Sequence, residues 1–212
     1  MIRGRTGRLA LMLAGSLIMI NDIHAGDIYS CSFDKNGWKS EDWIYVRRPD
    51  LRQDLDEGWI QGEDYIENNN PTHTSMVYGK KLKADLTISS TMSFRDKFAP
   101  SIVIVAHVDR NEKDQREYQE HFEIVLYNNG VNVWLHRNKN GKSHWIKTAF
   151  WEFRLEKDTK YLMTVAVKEK MLTISVEDRK FGYTEENLPN EFFVGITGQE
   201  GINRFYNFKV HE

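Results

Sequence analysis

The sequence predicts an all-β domain built as a sandwich or a barrel. Three observations carry that prediction. Short runs of alternating apolar and polar residues recur after residue 26. No window in the same region keeps a helical period. Gly, Asn, Asp and Lys punctuate the runs at the spacing of turns. Strands that follow one another without intervening helices leave two packed sheets or a closed sheet as the stable arrangements.

The first segment stands apart from this pattern. Arg3, Arg5 and Arg8 precede an apolar run from Leu9 to Ile20, broken only by Gly15 and Ser16. The run is shorter than the roughly 20 residues of a membrane span, and charge followed by a short apolar stretch is the order of a secretory signal. Residues 1–25 are therefore assigned as a signal peptide cleaved near Ala25–Gly26, with Ile23 an imperfect residue for the cleavage motif. The competing account is a buried helix within the domain. Export to a bacterial periplasm or the exterior follows from the signal. Cys31 is the only cysteine, so an exported chain has no internal disulfide and must rely on its core. As a lipid acceptor Cys31 is a poor match, because bulky Tyr29 lies beside it and the apolar run ends well upstream.

The remaining residues, 26–212, read as one domain with no linker and no internal repeat. Strands are predicted at Asp64–Glu67, Ser75–Tyr78, Leu82–Ser90 and Ser101–Val108, and the charged stretch Asp109–Arg116 as a mobile loop or short helical turn. The clearest hairpin pairs His121–Tyr127 with Val131–Arg137, with Asn-Gly at its tip to supply positive φ. A strand at His144–Phe153 follows. A second hairpin pairs Tyr161–Lys168 with Leu172–Glu177, and both its faces are apolar, as in a strand covered on two sides. Phe192–Ile196 and Ile202–Val210 complete the set.

Composition narrows the function classes. Lys and Arg total 29 against 31 Asp and Glu, which argues against a nucleic-acid binder. Six Trp, nine Tyr and eleven Phe accompany a mean hydropathy of −0.60. Many rings in a chain that is polar on average suit sheets with one dry face and one wet face, and they also suit sugar recognition.

The segments Lys160-Tyr161-Leu162, Leu172-Thr173-Ile174-Ser175-Val176, Phe193-Val194-Gly195-Ile196 and Phe205-Tyr206-Asn207-Phe208-Lys209-Val210 follow in an order that resembles the C-terminal half of concanavalin A-like lectin/glucanase domains. Phe122-Glu123-Ile124-Val125-Leu126-Tyr127-Asn128-Asn129 is similar to a segment of the 3-keto-disaccharide hydrolase branch, with Val125 and Asn128 departing from that pattern. Trp38, Trp43 and the Gly62–Asn69 region sit where such domains carry their first strands. The resemblance implies a jelly roll of two curved antiparallel sheets, with a glycan on the concave sheet. It leaves activity open, since the members include lectins, binding modules, glucanases and lyases. The carboxylate pair of retaining glucanases is not reproduced. Glu120 and Glu123 are three apart and point to opposite faces of a regular strand.

Strand alternation yields a candidate site. If Phe122, Ile124 and Leu126 face the core, then His121 and Glu123 face outward, and Trp134 and His136 do so on the next strand. His107 joins this wet set from the strand before, with Arg137 and Trp145 close in sequence. Four of the seven histidines fall between residues 107 and 144. His121, Glu123 and His136 are the candidate acid/base residues; His107, Trp134, Arg137 and Trp145 are the candidate saccharide contacts. An indole face stacks on the apolar side of a pyranose, and His and Glu fix its hydroxyls. The plainer account is that Trp134 packs under a loop and each His sits on a solvated face. His121-x-Glu123 also projects two metal ligands from one face, which His107 or His136 could complete. No metal or cofactor is assigned. A structural calcium ion is compatible with the fold, but no D-x-D-x-D loop names its ligands.

The resulting reading is an exported jelly-roll protein that recognises an oligo- or polysaccharide and takes part in glycan breakdown. The alternative is a hydrolase or lyase using His121, Glu123 and His136, with Arg137 or His136 neutralising a uronate. The third is a structural domain without ligand. The sequence predicts no membrane span.

Overall fold

A computed structural model describes residues 26–47, 58–68, 74–96, 100–139, 142–198 and 201–212. The proposed signal peptide lies outside the described residues. The first strands are β1 (Asp27–Ser32), β2 (Trp43–Val46), β3 (Trp59–Gln61), β4 (Ile66–Asn68), β5 (Ser75–Tyr78) and β6 (Leu82–Lys83). Next come β7 (Leu86–Phe94), β8 (Pro100–Val105), β9 (Asp109–Arg110), β10 (Arg116–Glu117), β11 (Glu120–Tyr127) and β12 (Gly130–Lys139). The chain continues through β13 (Lys142–Glu152), β14 (Tyr161–Lys168), β15 (Met171–Val176), β16 (Arg179–Thr184), β17 (Glu191–Gly198), β18 (Asn203–Phe205) and β19 (Asn207–His211). A single 3₁₀ turn at Ser40–Asp42 is the one helical element among the described residues, and none of them forms a helix long and apolar enough to cross a membrane.

Two antiparallel sheets form the body. One has the order β13-β12-β11-β8-β17-β5-β2, with β6 on the far end of β17. The other runs β16-β15-β14-β7-β18-β4-β3, and β19 pairs with both β7 and β1. The all-β sandwich expected from the alternation is thus the observed architecture. The core lies between the sheets. Phe122, Ile124 and Leu126 on β11 and Val131, Val133 and Leu135 on β12 face Met163, Val165 and Val167 on β14 and Ile174 on β15 within one buried cluster. Each fully buried side chain of this size contributes about 1.5–3 kcal/mol.

Several local expectations are corrected. The β11–β12 hairpin closes through Asn128–Asn129, and the positive φ falls on Gly130, the first residue of β12. A Cβ there would meet the Trp151 carbonyl. Strand β14 is covered on one face only: Leu162 is exposed while Met163, Val165 and Val167 are buried. The predicted Leu82–Ser90 strand is two, because Asp85 adopts positive φ between β6 and β7. The predicted Ile202–Val210 strand is also two. At the break the Asn207 side chain accepts from the Thr91 N–H and donates to the Thr91 hydroxyl, satisfying the backbone while Phe205 and Phe208 stay buried. The charged stretch from Asp109 is a two-stranded hairpin, β9–β10. Asn111 accepts from the backbone of Lys113 and Gln115, and Asp114 takes the left-handed conformation that turns the chain.

Candidate functional site

The outer face of the first sheet carries the candidate residues. Strand register sets them in rows. Phe193, Val105, His121, His136 and Trp145 lie side by side on neighbouring strands, and Val103, Glu123, Trp134 and Lys147 form the next row. The third row contains Val125, Asn132 and Phe150. A bulge in β13 after Lys147, opposite the step from Val133 to Trp134, sets the last of these positions. Thr148 is the extra residue; its hydroxyl donates to the Val133 carbonyl, and Phe150 turns outward while Trp151 packs against the core.

This face is dry where the alternation predicts a wet one. His121 is 2% exposed, Glu123 1% and His136 5%. The cover comes from the excursion between β8 and β11. Its end is pinned where the Arg47 N–H donates to the Arg116 carbonyl and the Tyr118 N–H to the Arg47 carbonyl. Tyr118 and Val108 then pack on Val46, Val77, Val103 and Val105 as a second apolar cluster outside the main core. Tyr118 is the residue the sequence reading overlooked. The only available signal was an aromatic just upstream of His121 in a stretch otherwise charged and polar.

Glu123 sits between two imidazoles. His121 Nε2 lies 3.1 Å from Oε1, and His136 Nε2 lies 3.3 Å from Oε2. The two His rings stack with centroids 4.5 Å apart. Tyr118 closes on His121 at 3.8 Å and Trp145 on His136 at 5.0 Å. The Nδ1 of His136 has no hydrogen-bond partner among the described residues. Burial pushes the Glu123 carboxyl up. The charge His136 can carry and the hydrogen bond with His121 outweigh that effect, so the carboxyl is held well below the usual carboxylate range. A cavity of about 10 Å³ borders His121, His136 and Trp145, which is room for one water-sized occupant.

The remaining candidates divide. His107 is exposed beyond the end of β8, which stops at Val105, so it stands outside this cluster and does not complete it; His136 does. Arg137 borders the cavity, with its guanidinium donating to Glu120 at 2.8 Å. Glu120 has the strand phase opposite to Glu123, as the alternation predicts. Trp134 is half-buried beneath Lys147, whose ammonium lies 5.0 Å from the ring centroid. Trp145 and Phe150 are open to solvent, at 48% and 57%.

No protein-family profile matches the chain, and no curated protein matches it in sequence. Solved structures do match in fold. The carbohydrate-binding module CBM66 from Bacillus subtilis superposes with a TM-score of 0.60 at 12% identity, covering 81% of this chain and 96% of that one. A Bacillus subtilis protein of unknown function with a galectin-like fold gives 0.62 at 10% identity over 88% and 96%. The LamA catalytic domain of Zobellia galactanivorans gives 0.60 at 6% identity over 88% and 97%. The fold is the concanavalin A-like jelly roll. Within that fold, these neighbours support no single branch, including the 3-keto-disaccharide hydrolases. The lumenal domain of VIP36, solved with Ca2+ and Man3GlcNAc, matches at a TM-score of 0.53 and 12% identity over 82% and 86%.

Proposed function

We propose that this chain is an exported carbohydrate-recognising jelly-roll module that serves glycan breakdown by holding a saccharide on the open half of its outer sheet face. The observation that carries the reading is the pair of exposed rings on β13. Trp145 and Phe150 project to solvent from the same face as half-buried Trp134, with Lys147 between them. A flat ring presented on a rigid strand stacks on a sugar ring with little ordering cost, and the ammonium of Lys147 supplies a hydroxyl or carboxylate contact. The carbohydrate-binding module and the Man3GlcNAc-bound lumenal domain among the neighbours support the substrate class by analogy of fold.

Binding is favoured over cleavage by room. The Glu123 carboxylate is enclosed, and the cavity beside its two histidine partners admits a water-sized group rather than a glycosidic oxygen with its two sugars. A structural calcium ion would sit elsewhere, since calcium takes about six to eight oxygen ligands.

The test is a glycan-array screen of the chain expressed without residues 1–25, followed by calorimetry on the best ligand. Trp145→Ala and Phe150→Ala are expected to weaken binding at least tenfold each with unchanged thermal midpoints. Unchanged affinity in both variants would sink the reading. Export is tested separately, by sequencing the N-terminus of the protein secreted by a host expressing the full chain; a retained leader would refute it.

A further inference from the structure

We propose that His121, Glu123 and His136 form a binding site for one divalent transition-metal ion of the zinc class. The ligands are Nε2 of both imidazoles and a carboxylate oxygen of Glu123. This site is independent of the saccharide reading and uses none of its exposed rings except Trp145, which walls the cavity.

Spacing is the first support. An ion about 2.0–2.1 Å from each of its tetrahedral ligands spaces those ligands about 3.3 Å apart. The nitrogen-to-oxygen separations are 3.1 Å to one carboxylate oxygen and 3.3 Å to the other, and ligand atoms of all three residues lie within 4.8 Å of one another, so closing on one ion asks for only small side-chain adjustments. The three residues are held on two adjacent strands in the interior of a sheet rather than on loops.

Donor chemistry is the second. Two imidazoles with one carboxylate suit zinc, copper, nickel or iron; calcium and magnesium prefer oxygen sets. Three protein ligands leave one position of a tetrahedron, and a small cavity with the volume of one water-sized ligand borders both imidazoles.

The third is the state of His136. Its Nε2 lies 3.3 Å from Oε2 in a ring 5% exposed, and its Nδ1 has no hydrogen-bond partner among the described residues. Two buried imidazoles aimed at one buried carboxylate set two lone-pair donors beside a fixed negative charge, an arrangement that a bound cation stabilises. Arg137 adds little opposing charge, because Glu120 neutralises it at 2.8 Å.

The experiment strips the purified chain with chelator and titrates it with Zn2+, Co2+ and Ca2+ singly, reading bound metal by elemental analysis, the visible spectrum of the cobalt form and the thermal midpoint. The expected result is one equivalent of Zn2+ or Co2+, a raised midpoint and no stoichiometric Ca2+. Glu123→Gln and His136→Gln are expected to lose roughly 100-fold or more in affinity, and His107→Gln to keep it. Failure of the wild-type chain to take up stoichiometric Zn2+ or Co2+, or an equal loss in His107→Gln, overturns the proposal. Should the Gln variants not fold, X-ray absorption of the zinc-loaded wild-type chain decides. Two imidazole ligands with oxygen ligands support the site, and any other shell refutes it.

Discussion

His121 and His136 stand directly opposite each other on β11 and β12, their rings stacked 29° from parallel. Glu123, two residues along from His121, reaches both. An acid and two bases are thereby held within a few ångströms by strand register alone, and the rings around them decide how much water they meet.

Tyr118 is the main lid on that group. Replacing it by Ala removes the aromatic member of the outer cluster and uncovers His121, with an expected loss of about 3–5 kcal/mol. Tyr118→Phe keeps the ring and gives up the phenolic oxygen, which Ser75 approaches at 3.5 Å, so it is expected to cost about 0.5–1.5 kcal/mol, well short of the Ala variant. Urea unfolding measures both. Reaction of His121 with an imidazole-directed reagent should accelerate in the Ala variant and stay slow in the Phe variant.

Two glycines make a paired test of strand packing. A Cβ on Gly195 would stand 2.0 Å from the Met76 carbonyl oxygen and 2.6 Å from the Val77 Cα, so Gly195→Ala must part β17 from β5. A loss of about 3 kcal/mol or more is expected, or failure to fold. At Gly182 on β16 the nearest atom is 3.6 Å away, an ordinary contact, and φ is not positive. Gly182→Ala should be neutral or stabilise by about 0.4–1 kcal/mol. Equal effects at the two positions, read from denaturation midpoints, would contradict this packing.

Cys31 sets an alkaline limit. Burial pushes its thiol from 9.0 up to about 11. Below pH 9 the thiol is protonated in both folded and unfolded chains and stability is unaffected. As pH rises from 9 towards 11 the unfolded chain ionises first, and stability falls by an amount on the order of 2–3 kcal/mol. Cys31→Ala should flatten that decline, seen as a shallower dependence of the urea midpoint on pH between 8.5 and about 10. A thiol reagent should react with the native protein at neutral pH only at the rate of unfolding.

Much of the fold was legible because its signal is local. Alternation of period two identified β11, β12, β14 and β15, and the inward and outward sets on the first two proved correct in direction. What alternation cannot report is what lies on top of an outward face. Val103 and Val105 signalled that the outer face of β8 was dry, yet His121 and Glu123 read as wet. The cover, Tyr118, comes from a segment whose charges suggested a free loop. The partnership of His136 with Trp145 follows from counting back from the hairpin tip, but the outward turn of Phe150 depends on the Thr148 bulge, which no local pattern announces. His107 was misplaced for a simpler reason: β8 ends at Val105, three residues before the predicted end at Val108.

The pairing of β1 with β19 has a kinetic meaning. Cys31 faces Phe208 across that ladder, so the first strand of the described chain completes its hydrogen bonds only after the last strand has been made. During synthesis β1 waits through almost the entire chain, and ring closure of that length is slow compared with forming the β11–β12 hairpin. The β1–β19 ladder therefore closes late, and removal of Asn207–His211 should leave β1 without its partner strand.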